Sequence, residues 1–246
     1  MAPLIDAKLR DDAGITLTNG RGAFSSSLAE YCMMCCLHYN KKVTRCQENK
    51  RNKVYDRFTM PVLKGKTIGF VGFGDIAKAT AKMAKDAFGV KVAVLRRNPE
   101  KADGKELIDE SFTDKLALFS SSDFVVSTLP GTPATKHFCS TAEFRAMKRG
   151  AVFISCGRGV TVDEAALVEV LNDGHIFAAL DVFETEPLPE SSALWTVPDD
   201  RLLITAHNAD LTDDYIALGW ARFLDNLQAF QRGEPFVTVV DKAAGY

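Results

Sequence analysis

Lys66-Thr67-Ile68-Gly69-Phe70-Val71-Gly72-Phe73-Gly74-Asp75-Ile76-Ala77 is the stretch of this chain that decides its fold. A short apolar run leads into a Gly-x-Gly-x-x-Ala turn, after which a helical pattern begins. Gly72 permits a tight turn, Gly74 lets the backbone approach a pyrophosphate, and Ala77 is small enough for close helix packing. The pattern predicts a strand, turn and helix unit that binds a dinucleotide, with the phosphates at the helix N-terminus near Asp75 and Ile76.

Strand and helix signals alternate along the chain from this unit onward. We expect helices over about residues 76–88, 112–120, 142–147 and 163–171. Strands are predicted at Thr67–Val71, Lys91–Leu95, Phe124–Ser127, Ala151–Ile154, Phe177–Leu180 and Leu202–Ile204. Short, unbroken apolar runs are typical of strands covered on both faces, and repeated strand, crossover and strand units imply parallel pairing. The predicted fold class is therefore α/β, a doubly wound parallel sheet of the Rossmann type.

Helical spacing also occurs on either side of this alternation. Apolar positions predict one long helix from Ser25 to about Cys46, with one of three serines, Ser25, Ser26 or Ser27, as its N-cap. A strand-like run, Gly14-Ile15-Thr16-Leu17-Thr18, precedes it. A last helix is expected from about Asp213 to Gln231, followed by an extended tail.

The bulk properties exclude several classes of function. The chain has 246 residues, a formal net charge of -2 and 25% charged residues, so it lacks the basic field that nucleic-acid binding requires. Two basic stretches, Lys41-Lys42 and Lys50-Arg51-Asn52-Lys53, are interpreted as a solvated helix end and loop. No signal peptide or membrane-length apolar run is present, so we expect no membrane association and a cytoplasmic location.

Six cysteines raise the alternatives of a disulfide framework or a metal site. Cys32-x-x-Cys35-Cys36 lies in an apolar stretch with helical spacing, and no Cys or His pair elsewhere stands at metal-ligand spacing. A core of this size needs no covalent cross-links. The sequence therefore predicts reduced, mostly buried thiols and no metal site.

The end of the second predicted strand carries two arginines, in Val94-Leu95-Arg96-Arg97-Asn98-Pro99. A site that prefers NAD places an acid here for the ribose hydroxyls, whereas arginine suits the extra 2′-phosphate of NADP. Arg96 stands where the acid would be expected, and Arg97 can add charge. We expect NADP(H) to be favoured, with NAD(H) possible. The alternative is a solvent-facing basic pair at a strand end.

Three polar motifs follow three successive strand-like runs. They are Ile154-Ser155-Cys156-Gly157-Arg158-Gly159, Ala179-Leu180-Asp181-Val182-Phe183-Glu184-Thr185-Glu186-Pro187-Leu188-Pro189 and Thr205-Ala206-His207-Asn208-Ala209. In an open parallel sheet, ligands bind outside the carboxyl ends of the strands, so these groups can converge on one crevice. An arginine, a glutamate and a histidine together suggest the reduction of a 2-keto acid. This reaction needs a hydride donor, a proton donor and a cation for the substrate carboxylate.

In this order and approximate spacing, the segments around Gly72, Arg158, Asp181–Pro189 and His207 resemble the D-isomer-specific 2-hydroxyacid dehydrogenase family. The resemblance extends over nearly the whole chain. It implies that His207 is the general acid/base, that Glu186 orients it, and that Arg158 binds the substrate carboxylate. It further implies that Asp181 contacts the nicotinamide carboxamide. Three further candidate cofactor-binding residues lie in the neighbouring loops, namely Leu129, Pro130 and Cys156.

The chain departs from the family in one respect. Members of the family have an amino-terminal substrate domain, and this sequence begins within what resembles the end of it. We expect residues 1–22 to be a remnant of that domain, residues 23–235 to form the NAD(P)-binding domain, and residues 236–246 to form a tail. The resemblance also implies a homodimer with the helix from Ser25 at its interface.

Two functions follow as expectations. One is a reductase of a small 2-keto acid such as glyoxylate or hydroxypyruvate. The other is a catalytically silent NAD(P)-binding scaffold or regulatory module derived from this family.

Overall fold

The computed structural model describes residue 12, residues 14–97 and residues 103–243. Seven parallel strands form one sheet in the order β3-β2-β1-β4-β5-β6-β7. The strands are β1 Thr67–Val71, β2 Lys91–Leu95, β3 Glu110–Phe112, β4 Phe124–Ser127, β5 Val152–Ser155, β6 Phe177–Leu180 and β7 Leu202–Ile204. The strand order reverses direction at β1, beside β4, which places the topological switch point next to the glycine turn.

Helices cover both faces of this sheet. They are α1 Ser25–Asn40, α2 Val43–Arg51, α3 Asp75–Phe88, α4 Lys115–Ser121, α5 Thr141–Ala146, α6 Glu164–Asn172 and α7 Tyr215–Arg232. Short 3₁₀ turns occur at Lys105–Leu107, Pro133–Thr135, Gly159–Thr161 and Ala193–Thr196. The predicted doubly wound α/β fold is confirmed.

Each face of the sheet has its own apolar core, because successive strand side chains point to opposite sides. On one face, Phe70 and Ile154 pack with buried side chains of α1 and α3. On the other face, Val125 and Phe153 pack with buried side chains of α4, α5 and α6. This double coverage explains why the predicted strands are nearly continuous apolar runs.

The strand β3 was not predicted from the sequence. It pairs with β2 at the sheet edge, and none of its three residues is fully buried. A short polar segment of this kind carries no apolar run, so the sequence pattern favours a loop there. The expected helix over residues 112–120 is real but begins at Lys115, with the Asp114 side chain accepting from the Leu116 backbone amide.

The predicted long helix begins at Ser25 as expected, but its N-cap and its C-terminal end differ from the prediction. Its N-cap is Phe24, with no side-chain cap, rather than a serine. The helix stops at Asn40, because Lys42 adopts a left-handed conformation (φ 52°) and α2 starts afresh at Val43. Apolar periodicity continues through such a break and therefore does not detect it.

The segments at the two ends of the described chain pair with each other. Thr18 forms an antiparallel bridge with Val239, and the Asn226 side chain accepts from the Val237 amide at 2.9 Å. The strand-like run that ends at Thr18 thus forms a single bridge in place of a strand. The division into residues 1–22, 23–235 and 236–246 stays a prediction, and its residues 1–11, 13, 98–102 and 244–246 lie outside the described residues.

All six cysteines are free thiols, and all except Cys46 are buried, in agreement with the sequence-based prediction. Burial raises the pKa of the Cys139 thiol to about 12. Within the described ranges, no group of three or more His, Cys, Asp or Glu side chains is arranged to hold a metal ion. No helix in those ranges has the length and apolar character needed to cross a bilayer.

A substitution at Gly69 in β1 tests how closely the sheet packs against the end of α4. A Cβ at this position would lie 2.2 Å from the Ser122 hydroxyl, which is buried and bonded to the Leu118 carbonyl at 2.7 Å. We expect Gly69→Ala to lower the free energy of unfolding by about 1–3 kcal/mol, measured by urea denaturation. Gly74→Ala is the matched control, because a Cβ there meets no atom within 4 Å. Equal stability of the two variants would contradict the packing described.

Candidate active site

Every candidate site residue lies at the carboxyl edge of the sheet, where the parallel strands end. The chain order relates them to the strands as follows: Gly72, Gly74, Asp75 and Ile76 after β1; Arg96 and Arg97 after β2; Leu129 and Pro130 after β4; Cys156 and Arg158 after β5; Asp181 and Glu186 after β6; His207 after β7. This edge is where ligands of doubly wound sheets bind.

The glycine turn has the geometry that a pyrophosphate requires. Gly72 has φ 89°, a left-handed conformation that glycine adopts without steric cost, and its carbonyl accepts from the Thr128 hydroxyl at 3.1 Å. Gly74 is the N-cap of α3, has no side-chain capping bond and faces open space. The first amides of α3 are therefore available to an anion, and the residues present fit a dinucleotide.

The two arginines after β2 differ in exposure. Arg96 is 9% exposed; its guanidinium donates to the Asp103 carbonyl and lies 5.3 Å from the centroid of the Phe73 ring. Arg97 is exposed. Arg96 is thus held by Asp103 and Phe73, whereas Arg97 is the exposed cation of the pair. Asn98 and Pro99 of the same motif lie outside the described residues.

Arg158 is held between two glycines that allow the neighbouring loops to approach closely. A Cβ on Gly157 would lie 2.5 Å from the Leu129 carbonyl oxygen, and a Cβ on Gly159 would lie 1.9 Å from the Phe183 backbone. Both loops therefore pack directly on the backbone that carries Arg158. The Arg158 side chain is exposed, and its Nη1 donates to the Gly157 carbonyl at 2.7 Å.

His207 and Glu186 form a direct pair. Nδ1 of His207 lies 2.7 Å from Oε2 of Glu186, while Oε1 of Glu186 accepts from the Phe183 amide at 2.9 Å. The two side chains are 42% and 34% exposed, respectively. His207 has φ 52°, an uncommon conformation for a residue with a Cβ, and its amide donates to the Asp181 carbonyl at 2.8 Å.

The carboxylate of Asp181 holds the loop that carries His207. It is 2% exposed, and its Oδ1 accepts from the Thr205 hydroxyl at 2.6 Å and from the Asn208 amide at 3.1 Å. Oδ2 accepts from the Ala209 amide at 3.2 Å. The Tyr31 hydroxyl of α1 in turn lies 2.9 Å from the Thr205 hydroxyl. Asp181 therefore fixes the backbone on both sides of the histidine.

Two predicted cofactor-binding residues are engaged elsewhere, Cys156 through its thiol and Pro130 through its backbone carbonyl. Sγ of Cys156 lies 3.6 Å from Sγ of Cys32, so the Cys156 thiol is buried in the core. The Pro130 carbonyl accepts from the Thr135 hydroxyl at 2.6 Å. Leu129 lies between the glycine turn and the arginine loop, within reach of a Cβ on either Gly72 or Gly157.

The other three histidines bond to groups outside this cluster. His38 lies 3.3 Å from the Thr44 hydroxyl, His137 lies 3.1 Å from a Glu184 oxygen, and His175 lies 3.0 Å from the Met147 carbonyl. These contacts agree with the interpretation of these histidines as structural.

Sequence reasoning missed Thr205 and Tyr31. Thr205 stands two residues before His207 in a motif that was singled out, so its position at a strand end was the available signal. Tyr31 lies 174 positions away from Thr205 in the sequence, and no local pattern connects the two.

The arrangement combines groups with different chemical capacities. The His207 imidazole can donate and accept a proton, Glu186 can hold the ring orientation, and the exposed Arg158 can bind a carboxylate with a forked geometry. The helix N-terminus at Gly74 can bind phosphate.

Substitutions at Thr205 test whether the hydrogen bonds to Asp181 hold the loop that carries His207. Thr205→Val removes the hydroxyl that donates to a buried carboxylate, so we expect a loss of about 1–3 kcal/mol in the free energy of unfolding. We also expect a shift of the His207 imidazole signals in NMR spectra. Thr205→Ser keeps the hydroxyl and should retain stability close to that of the unmodified chain. A valine variant as stable as the serine variant would argue against this role.

Comparisons with known proteins agree with this geometry. Residues 33–209 match the family model described as D-isomer specific 2-hydroxyacid dehydrogenase, NAD binding domain. A protein of Dictyostelium discoideum named "Probable 2-ketogluconate reductase" is 34% identical over 209 residues, which are 82% of this chain and 61% of that protein. The chain spans between 45% and 66% of the length of four such curated relatives.

Solved structures give the same result. A D-isomer specific 2-hydroxyacid dehydrogenase from Xanthobacter autotrophicus Py2, in complex with NADPH and MES, has a TM-score of 0.84 at 28% identity, with 100% of this chain and 98% of that chain covered. An NADPH-dependent glyoxylate/hydroxypyruvate reductase from Sinorhizobium meliloti, in complex with NADP and sulfate, has a TM-score of 0.83 at 28% identity. The alignment covers 95% of this chain and 74% of that one. With its sheet order, glycine turn and matching residues 33–209, the chain belongs to the D-isomer specific 2-hydroxyacid dehydrogenase family.

Proposed function

We propose that this chain carries the cofactor-binding and proton-transfer half of an oxidoreductase that reduces a small 2-keto acid of the glyoxylate or hydroxypyruvate type. The observation that carries the proposal is the 2.7 Å contact between His207 and Glu186, on the same sheet edge as the glycine turn. Reductases of this kind are among the relatives, including the Sinorhizobium meliloti protein.

In this proposal His207 is the general acid/base. When bound, the nicotinamide cofactor supplies the hydride. Because Nδ1 of His207 contacts Glu186, we assign the transferred proton to Nε2, the other ring nitrogen. Nε2 would donate this proton to the oxygen of the forming alcohol, while Glu186 keeps the ring in one orientation.

Arg158 is assigned to the substrate carboxylate. Its guanidinium is exposed, and within the described part of the chain no carboxylate forms an ion pair with it. Its forked donors match a carboxylate in a way that the single ammonium of lysine does not. The close loop contacts at Gly157 and Gly159 keep its backbone in place.

For the cofactor, we propose a preference for NADP(H) over NAD(H). We assign the exposed Arg97 to the 2′-phosphate. Arg96 supports it from the same strand end by donating to the Asp103 carbonyl. NADPH or NADP is present in the two solved relatives described above. We assign Asp181 mainly to the support of the histidine loop, because both of its oxygens already accept hydrogen bonds.

A second candidate is a dinucleotide-binding module without turnover. The exposure of His207 and Glu186 favours it, because efficient hydride and proton transfer needs a site that excludes water. Helix α7 also presents an exposed apolar surface on which a further domain can pack. Its side chains are Ile216, Trp220, Phe223, Leu227 and Phe230.

A homodimer is also proposed, and the expectation that α1 lies at its interface stays a prediction. The apolar side of α1 packs on α3 and the sheet, with Cys32, Cys35 and Cys36 buried, so this side is not available to a partner. Exposed apolar side chains include Met34 on α1, and Val54, Tyr55, Met60 and Val62 in the segment after α2. We assign the dimer contact to the exposed side of α1 and to that segment. The cytoplasmic location stays a prediction.

Turnover tests the proposed function. We expect the purified chain to oxidise NADPH in the presence of glyoxylate or hydroxypyruvate, and His207→Ala to lower the rate by about 10²–10⁴-fold, followed by NADPH absorbance. His137→Asn is the matched control, because His137 pairs with Glu184 outside the cluster. Turnover that survives in His207→Ala would contradict the assignment. NADPH binding without any turnover would identify the second candidate.

Cofactor preference is tested separately by equilibrium binding of NADPH and NADH. Loss of a charge-assisted contact to the 2′-phosphate should weaken NADPH binding to Arg97→Ala by about tenfold or more and leave NADH binding unchanged. Lys82→Ala, on the exposed side of α3, controls for a general loss of positive charge. NADH binding as tight as NADPH binding in the unmodified chain would refute the preference.

A further inference from the structure

A cavity of about 480 Å³ lies at the opposite edge of the sheet from the active site. Its walls come from the end of α1, the start of α2, and residues at or just before the first residues of β1, β4, β5, β6 and β7. In a parallel sheet these positions form the amino edge, whereas the dinucleotide crevice lies at the carboxyl edge. The two sites can therefore be filled at the same time, and the volume is that of a small-molecule pocket.

The lining of this cavity is positively charged on a chain whose net charge is -2. It contains two carboxylates, Asp123 and Asp200, and five cationic side chains: Lys42, Arg45, Lys66, Lys148 and Arg149. A cavity whose lining has an excess of one sign of charge concentrates ligands of the opposite sign.

Both carboxylates are already engaged with cations or backbone donors. Asp123 accepts from the Thr67 amide at 2.9 Å and lies 3.7 Å from Lys66 and 3.4 Å from Lys148. Asp200 lies 3.8 Å from Nε of Arg201. One carboxylate is thus shared by two lysines, which leaves positive charge at this wall.

Two further cations of the lining have no acidic partner among the residues that the structure describes. Arg45 pairs with Asp56, but across the described residues neither Lys42 nor Arg149 forms an ion pair. Arg149 is exposed beside Gly150, and Nζ of Lys42 lies 5.6 Å from the centroid of the Phe58 ring. These two side chains are available to an anion.

The backbone at Lys42 forms part of this wall. Its φ of 52° is the left-handed conformation that ends α1 and starts α2. Residues with a Cβ adopt this conformation at a cost, and such positions occur preferentially at functional sites. The sequence pattern of Lys41-Lys42 indicates a solvated helix end, whereas the structure puts Lys42 in the wall of a cavity.

The remaining lining is aromatic. Tyr39 and Phe177 contact each other with ring centroids 5.2 Å apart, and Phe124 lies buried beside them. Burial raises the pKa of the Tyr39 phenol, which therefore stays uncharged. Aromatic faces of this kind favour a flat apolar group.

We infer that this cavity is a binding site for a small organic anion that carries a phosphate or carboxylate on a flat ring. The anionic group would contact Lys42 and Arg149, and the ring would pack on Tyr39 and Phe177. The inference does not depend on the proposed function, because it uses none of the residues at the carboxyl edge.

His38 offers a local reporter of occupancy. It lines the cavity, its Nε2 lies 3.3 Å from the Thr44 hydroxyl, and burial lowers the pKa of its imidazole. An anion bound nearby would change the environment of this ring, which NMR detects through its carbon-bound protons. His38→Gln assigns the signal.

The test uses phenyl phosphate as the probe, with inorganic phosphate as the ring-free comparison, on the full chain with NADPH present in excess. We expect saturable binding of phenyl phosphate by calorimetry, tighter than that of inorganic phosphate, and a matching shift of the His38 signal. Lys42→Gln and Arg149→Gln should each weaken binding by about tenfold or more, since each removes a charge-assisted contact.

Lys82→Ala is the control and should bind phenyl phosphate as the unmodified chain does. The proposal is overturned if no saturable binding occurs, if the glutamine variants bind normally, or if binding leaves the His38 signal unchanged. Circular dichroism of each variant distinguishes lost binding from lost folding. If NADPH itself does not bind, the proposed function fails, but the phenyl phosphate measurement keeps its meaning.

Discussion

The candidate active site depends on the hydrogen bonds that the buried carboxylate of Asp181 accepts. It lies at the end of β6, and it accepts one hydroxyl and two backbone amides from the loop that follows β7. A buried carboxylate without donors would be costly, so these bonds tie the two strand ends together. They also stabilise His207 in a left-handed conformation that a free loop would leave. The orientation of the histidine toward Glu186 is thus a consequence of a residue that need not take part in the reaction.

A second constraint is steric. The loops after β4, β5 and β6 approach one another so closely that no Cβ fits at Gly157 or Gly159. The arginine between these glycines therefore has its backbone fixed by packing, while its side chain remains exposed. Hydrogen bonds hold the histidine loop and close packing holds the arginine loop, so the two functional groups are positioned by different means.

The parallel sheet also separates the two proposed anion sites. At the carboxyl edge, the N-terminus of α3 has no side-chain cap and leaves backbone amides open for the proposed phosphate contact. At the amino edge, lysine and arginine side chains surround an aromatic cavity. Apolar cores on both faces of the sheet lie between these edges. Because the strands are only three to five residues long, the two sites are separated by little more than the length of one strand.

Much of the fold and the outline of the site could be predicted because they depend on local order along the chain. Unbroken apolar runs marked the six buried strands, and the glycine turn marked the strand, turn and helix unit at β1. The motifs around Arg158, Glu186 and His207 each followed a strand end, so the rule for parallel sheets was enough to bring them to one edge. The edge strand β3 escaped prediction because partial burial leaves no apolar pattern.

Only the tertiary structure decided the features that join residues far apart in sequence. The break of the first helix at Lys42, the Tyr31 contact with Thr205, the inward direction of the Cys156 thiol and the cation-lined cavity all belong to this group. The sequence by itself determined which segments become strands and helices and which edge collects the polar motifs, because periodicity and turn chemistry act between near neighbours. Which side chains finally meet was decided by packing, because each such contact depends on the position of the whole sheet.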